Sequence, residues 1–140
     1  MRLVLDTDVV VAALRSPKGA SAAVLRLLDA GRVTILLSVA LALEYEAVCH
    51  LPEHRLASGL ATVEVTLFVN TLIALAEPVH VHFFWRPQLR DAGDEMVLET
   101  AVNGRADALV TFNRRDYAAI PSRFGIELLL PREILRRIPT

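Results

Sequence analysis

Four stretches of this chain, residues 2–6, 32–38, 107–111 and 126–130, are short and almost unbroken in apolar residues. A strand with one solvated face alternates, whereas a strand covered on both faces does not, so 2–6 reads as an inner strand of a parallel sheet, 107–111 as another buried strand, and 32–38 and 126–130 as further strands. Parallel strands need crossovers, and the intervening stretches carry helical spacing. Helices are expected from Ser21, as N-cap, to near Gly31, from Val39 to about Cys49 before Pro52, over 62–76 between Thr62 as cap and Pro78, and over 94–103. Gly104 then falls at the C′ position that favours positive φ. Residues 79–84, VHVHFF, alternate and suggest a fifth strand; 16–21 and 85–93 read as loops, 112–125 as a loop or short helix, and Pro131 opens a last helix at its first position. The expected fold class is α/β, a parallel sheet of about five strands with helices on both faces, in a single domain over residues 1–140.

The hydrophobic fraction of 54% suits such a doubly covered sheet, or an oligomer that hides part of its surface. No apolar run reaches the roughly 18–20 residues of a membrane span, because VTLFVNTLIALA is broken by Asn70 and flanked by Glu64 and Glu77. Met1 and Arg2 lead straight into a strand, so no leader and no membrane association are expected, and the expected localisation is cytoplasmic. A single cysteine, Cys49, excludes an internal disulfide and reads as a small buried apolar residue. The net charge of −1 supplies no global field to hold nucleic acid. Lys18 is nevertheless the only lysine among 15 basic residues. Compositional bias explains such an arginine excess; so does bidentate phosphate contact.

The acids are the anomaly. Asp6 and Asp8 follow the first apolar run, where α/β proteins bind ligands beyond the carboxyl ends of strands. Glu44 interrupts an apolar stripe of Leu37, Leu41 and Val48. Asp94 opens a helix beside Asp91 and Glu95, and Asp116 follows the run at 107–111. Each has an ordinary explanation alone, as a capping, paired or solvated side chain. Together, four segments deliver carboxylates to strand ends or helix starts with almost no lysine to neutralise them. A hard divalent cation such as Mg²⁺ or Mn²⁺ suits that donor set, and it serves phosphate-ester chemistry.

At these residues the chain resembles the PIN-domain family of metal-dependent ribonucleases, common as toxins of bacterial toxin–antitoxin pairs. VLDTDVVVAAL is similar to the family's first strand end, which normally carries Asn where this chain has Asp8. LLSVALALEYEAV is similar to the second motif, a serine followed six residues later by Glu44, and RDAGDEMVLETAVNGRADALVTFNRRDY to the third and fourth run together. The resemblance spans essentially the whole chain and implies a PIN-like parallel sheet, frequent homodimers and Mg²⁺ or Mn²⁺ as cofactor. It also implies attack of metal-activated water on an RNA phosphodiester, and, in the toxin subgroup, an antitoxin partner that inserts a basic residue into the acids. Carried over, the catalytic and metal-binding acids fall on Asp6, Glu44 and Asp94. The usual fourth acid is replaced by Asn113, a neutral ligand or water holder, with Asp116 three residues on at the rim. Thr7 and Thr111 are expected to hydrogen-bond the acids, and Arg86, Arg90, Arg114 and Arg115 to grip RNA phosphates or simply to be solvated.

Two other readings fit parts of the pattern. DTDVV matches the strand end of haloacid-dehalogenase-type phosphatases, which also need a lysine that only Lys18 could supply. Alternatively, the Asn113 departure suits a catalytically silent module that binds RNA or a protein partner without cutting. His80 with His82, and His50 with His54, lack a third ligand at zinc spacing.

Overall fold

The structure, a computed structural model, describes residues 1–83 and 88–139. The run after Arg2 becomes β1 (Arg2–Leu5), whose Leu3, Val4 and Leu5 are fully buried, and the chain passes through α1 (Thr7–Arg15) and α2 (Ala20–Asp29) to β2 (Thr34–Leu37). Next come α3 (Val39–Cys49), α4 (Pro52–Ser58), α5 (Thr62–Leu75) and the two-residue β3 (Glu77–Pro78). The second half is α6 (Ala92–Asn103), β4 (Ala108–Val110), α7 (Arg114–Tyr117), a 3-10 turn at Pro121–Phe124, β5 (Glu127–Leu129) and α8 (Pro131–Arg137). All pairings are parallel and the sheet order is β3-β2-β1-β4-β5. The expected α/β class with five strands is what forms. One core joins Leu3–Leu5 and Ile35–Leu37 to Val9 and Val10 of α1, Tyr45 of α3, Val69 of α5 and Val97 of α6.

From β1 the order runs outward through β2 and β3 on one side and through β4 and β5 on the other. Right-handed crossovers then place helices on opposite faces and leave a crevice between the carboxyl ends of β1 and β4. The register Leu5↔Val110 brings those two ends level. Asp6 therefore emerges beside Thr111.

Several local expectations change. Helix α2 opens at Ala20 behind Gly19, not at Ser21, whose hydroxyl is buried without a partner. Thr62 is the first residue of α5 rather than its cap; Glu64 reaches back so that the Ala61 N–H donates to Oε1 at 2.9 Å. Helix α6 starts at Ala92, because Asp91 accepts from the Gly93 and Asp94 amides at 2.7 and 3.1 Å and caps it ahead of Asp94. Pro52 does not merely end a helix but starts α4 at its first position. The alternating stretch after Pro78 is not a strand. Val79 still donates to Leu37 O at 2.9 Å, but β2 ends there, and the His82 and Phe83 amides donate instead to the Asn103 side chain, each at 3.0 Å. Residue 84 of that stretch lies outside the described residues.

Gly104 does not take positive φ; its φ is −87° and Arg105 adopts +54° instead. Its lack of a side chain answers a packing demand: a Cβ would stand 2.9 Å from Thr100 O, 2.9 Å from Val79 Cγ2 and 3.0 Å from Leu36 Cδ1. Those contacts close α6 onto β2.

Candidate active site

Asp6 follows β1 and caps α1 from an extended backbone, φ −63° and ψ 152°. The Thr7 amide donates to Oδ1 at 2.8 Å and the Thr111 hydroxyl to Oδ2 at 2.7 Å, so the β1 and β4 ends share this carboxylate. Thr111 acts as expected, whereas Thr7 meets Asp6 through its backbone amide rather than its hydroxyl. Asp6 is only 6% exposed, and burial raises its pKa against the pull of those bonds. Asp8 lies in the first turn of α1, where the Phe112 amide donates to Oδ2 at 3.1 Å. Its Oδ1 is buried with no partner. Burial, then the charge of Asp6, pushes its pKa up to about 7.

Across the crevice, Asp94 sits in the first turn of α6 with its pKa pushed up to about 6 by burial and by Asp6, Asp91 and Asp116. Between Asp6 and Asp94 stands Tyr117, fully buried at the end of α7. Its hydroxyl donates to Asp94 Oδ1 at 3.3 Å and lies near enough to the Asp6 carboxylate to lower its pKa. The next residue, Ala118, has φ 49° and ψ −126°, a backbone that L-residues rarely adopt and that costs of order 1–3 kcal/mol.

Helix α3 reaches the same region. Tyr45, also fully buried, donates its hydroxyl to the Leu5 carbonyl at the end of β1. The buried face of α3 is thus Leu41, Tyr45 and Cys49, with Glu44 half-buried at its edge. Glu44 Oε1 approaches the start of α6, 4.0 Å from where a Cβ on Gly93 would lie. Burial pushes the Cys49 thiol up to about 11, in keeping with a packing role. Ser38 caps α3 and hydrogen-bonds Thr100 at 2.7 Å, tying the β2 end to α6. Glu95, 5% exposed, accepts the Gln88 and Leu89 amides at 2.6 and 2.7 Å and holds the loop ahead of Asp91.

Asp91, Asp94 and Asp116 open onto a cleft of about 550 Å³ lined also by Arg90, Arg115 and Tyr117, among others. Arg90 and Arg115 therefore face it. Arg114 turns away to pair with Glu133 at 3.2 Å, and Arg86 lies outside the described residues. The described ion pairs are Arg2–Glu77, Arg114–Glu133 and Arg137–Glu127, so none neutralises the acids of this cluster.

A sequence model of the PIN domain matches residues 2–115. The chain belongs to the PIN-domain family. In this PIN domain the matched span takes in Asp6, Glu44, Asp94 and Asn113 and stops just short of Asp116 and Tyr117. Among curated proteins none matches the chain. Among solved structures, the fold is similar to the crystal structure of VapBC2 from Rickettsia felis bound to a DNA fragment from their promoter. The TM-score is 0.64 at 18% identity, covering 91% of this chain and 97% of that one. Membership of the family sets aside the phosphatase reading. Lys18 agrees with that, since it is exposed beyond the far end of α1 from Asp6.

Of the residues anticipated as ligands, the structure brings Asp6, Asp94 and Asp116 within electrostatic reach of one another and adds Asp8 against Asp6. Glu44 stands beside the start of α6. Asn113 is exposed and gives its backbone amide to the Thr111 hydroxyl at 2.9 Å. Among the described residues no three acids or imidazoles are grouped closely enough to hold one ion as the side chains stand. The set still fits a hydrated hard cation. Its donors are all oxygens, one carboxylate oxygen is buried without a partner, no arginine or lysine among the described residues pairs with it, and Mg²⁺ needs only one or two carboxylates with its own waters. Tyr117 and Glu95 were not anticipated. An aromatic after an acid, like a glutamate inside an amphipathic helix, carries no sequence mark of what its polar atom will touch.

Proposed function

We propose that residues 1–140 act as one catalytic domain, a Mg²⁺- or Mn²⁺-dependent endoribonuclease of the cytoplasm that serves as the toxin of a toxin–antitoxin pair. The observation that carries this reading is the carboxylate cluster around Asp6, without an ion-pair partner among the described residues and set at the reversal of strand order, whose Asp94 and Asp116 line a cleft with two arginines. Asp6 and Asp94 would hold the cation, with Glu44, Asp116 and Asn113 as outer ligands or water holders. When bound, the cation supplies an acidified water and neutralises charge on the phosphate. The chain's own residues do the rest: Thr111 and the Thr7 amide fix the Asp6 rotamer, Tyr45 locks the end of β1, and Glu95 holds the loop that presents Arg90.

The assay is incubation of metal-loaded protein with structured RNAs beside an Asp6→Asn control, which reports cleavage and its dependence on the site together. Arg90 and Arg115 would contact phosphates. In the Asp6→Asn background, Arg90→Ala with Arg115→Ala is expected to weaken RNA binding roughly tenfold and to flatten its salt dependence, as read by fluorescence anisotropy. Unchanged affinity would remove both from the interface.

Two protein partners belong to the same reading. The likeness to one component of a VapBC2 complex supports an antitoxin, whose arginine or lysine would enter the acid cluster in place of the cation. Helix α5 keeps Val63 and Leu67 78% and 66% exposed, an apolar face that suits a homodimer. Sedimentation at micromolar concentration is expected to give a dimer, and a monomer would refute that assignment. Among the described residues no single helix is long and apolar enough to cross a membrane.

A further inference from the structure

We propose that Tyr117 is a positioning residue for the cation site: its phenol, between Asp6 and Asp94, sets the spacing and orientation of the two carboxylates that would meet the metal. The inference rests on the metal-dependent reading above and deepens it.

Asp6 comes from the β1–α1 junction and Asp94 from the start of α6, and no backbone hydrogen bond joins the two elements at that point. Left to themselves, two partly desolvated carboxylates turn apart. The Tyr117 hydroxyl donates to Asp94 and lies near enough to the Asp6 carboxylate to lower its pKa. The ring is fully buried, so a phenylalanine would fill the same space, and the hydroxyl gains nothing from burial except through its partners. The strained backbone at Ala118 is a second, independent observation. The chain holds a left-handed residue directly after Tyr117 and so aims the ring inward against local preference.

Donors placed this way orient ligands by occupying one lone pair and leaving the others toward the ion. Their removal typically costs 10–100-fold in metal affinity. Tyr117→Phe keeps the ring and removes the donor. Mn²⁺ titration followed by electron paramagnetic resonance is expected to show affinity weakened by about 10–100-fold, while the melting temperature in EDTA stays within a few degrees of wild type. A double-mutant cycle separates positioning from packing: in an Asp94→Asn background, Tyr117→Phe should add little further loss.

Wild-type binding with an equal or tighter Tyr117→Phe affinity overturns the assignment and leaves the metal-dependent reading standing. A large loss of melting temperature with unchanged Mn²⁺ affinity makes the phenol a packing group and overturns it equally. Additive losses in the cycle overturn the route through Asp94. No Mn²⁺ binding by the wild type up to millimolar concentration overturns the metal-dependent reading and this inference with it.

Discussion

Asp6→Asn is expected to lower RNA cleavage by roughly 100-fold or more while making the metal-free protein more stable at neutral pH. The two effects have one cause. Asp6 is almost fully buried, and its charge raises the pKa of both Asp8 and Asp94. An asparagine keeps the packing and still accepts the Thr7 amide through its oxygen. Its amide nitrogen can meet the Thr111 hydroxyl, which serves as acceptor as well as donor. What disappears is the charge that repels its neighbours and that would hold a cation. Denaturant unfolding in EDTA should therefore show a gain of about 1 kcal/mol or more for Asp6→Asn. The RNA assay on the same preparation should show the loss. A variant that cuts as well as wild type would remove Asp6 from the mechanism. A variant that loses activity only because it unfolds would contradict the electrostatic account.

Without added metal, stability should fall as pH rises from about 4 to about 7. The carboxyl of Asp8 is raised to about 7 and that of Asp94 to about 6, from an ordinary value of 3.8. Between the ordinary and raised values the folded state holds more protons than the unfolded one, so each pH increment favours unfolding. The contribution is complete below about pH 4 and gone above about pH 7. Each pKa unit is worth about 1.4 kcal/mol, so the combined fall is on the order of a few kcal/mol, reduced by solvent reaching both side chains. Divalent cation should reverse the trend, because it binds the deprotonated cluster. At a concentration about 100-fold above its dissociation constant, Mn²⁺ would restore roughly 2.7 kcal/mol. Urea midpoints at several pH values, with EDTA or with Mn²⁺, measure both. A metal-free protein that gains stability over this range would show that the acids are already neutralised by something else.

The legible part of the fold was the part written in local pattern. The runs at 2–6 and 107–111 became β1 and β4 because a strand buried on both faces must be apolar throughout, and the run at 126–130 became the edge strand β5, whose Glu127 is exposed. VHVHFF misled because alternation reports amphipathicity without supplying a neighbour. With β2 ended at Leu37, the amides of His82 and Phe83 found Asn103 instead. Capping was misread by a residue or two at α2, α5 and α6 for a related reason. Several side chains in each loop can satisfy free amides, and packing selects among them.

At the site, the order of motifs along the chain pointed to Asp6 and Asp94, one at the end of an apolar run and the other at the start of a helix. Sequence could not say that Asp8 would keep a buried carboxylate oxygen unpaired, that Arg114 would turn to Glu133 while Arg115 faced the cleft, or that Glu44 would stop beside Gly93. Those outcomes depend on distances between elements far apart in the chain, as when the Phe112 amide meets Asp8 across 104 residues of sequence.

By itself, then, the sequence determined the alternation of buried strands and helices and the delivery of carboxylates by four segments to strand ends and helix starts. Hydropathy and charge are carried by each residue wherever it lies. Only the tertiary structure decided which acids face one another and what stands between them. Hydrogen-bond geometry, burial and Coulomb interaction vary over a few ångströms, and only the packing of β1, α6 and α7 sets that scale. Tyr117, an unremarked aromatic in the chain and a phenol between two carboxylates in the fold, shows the difference.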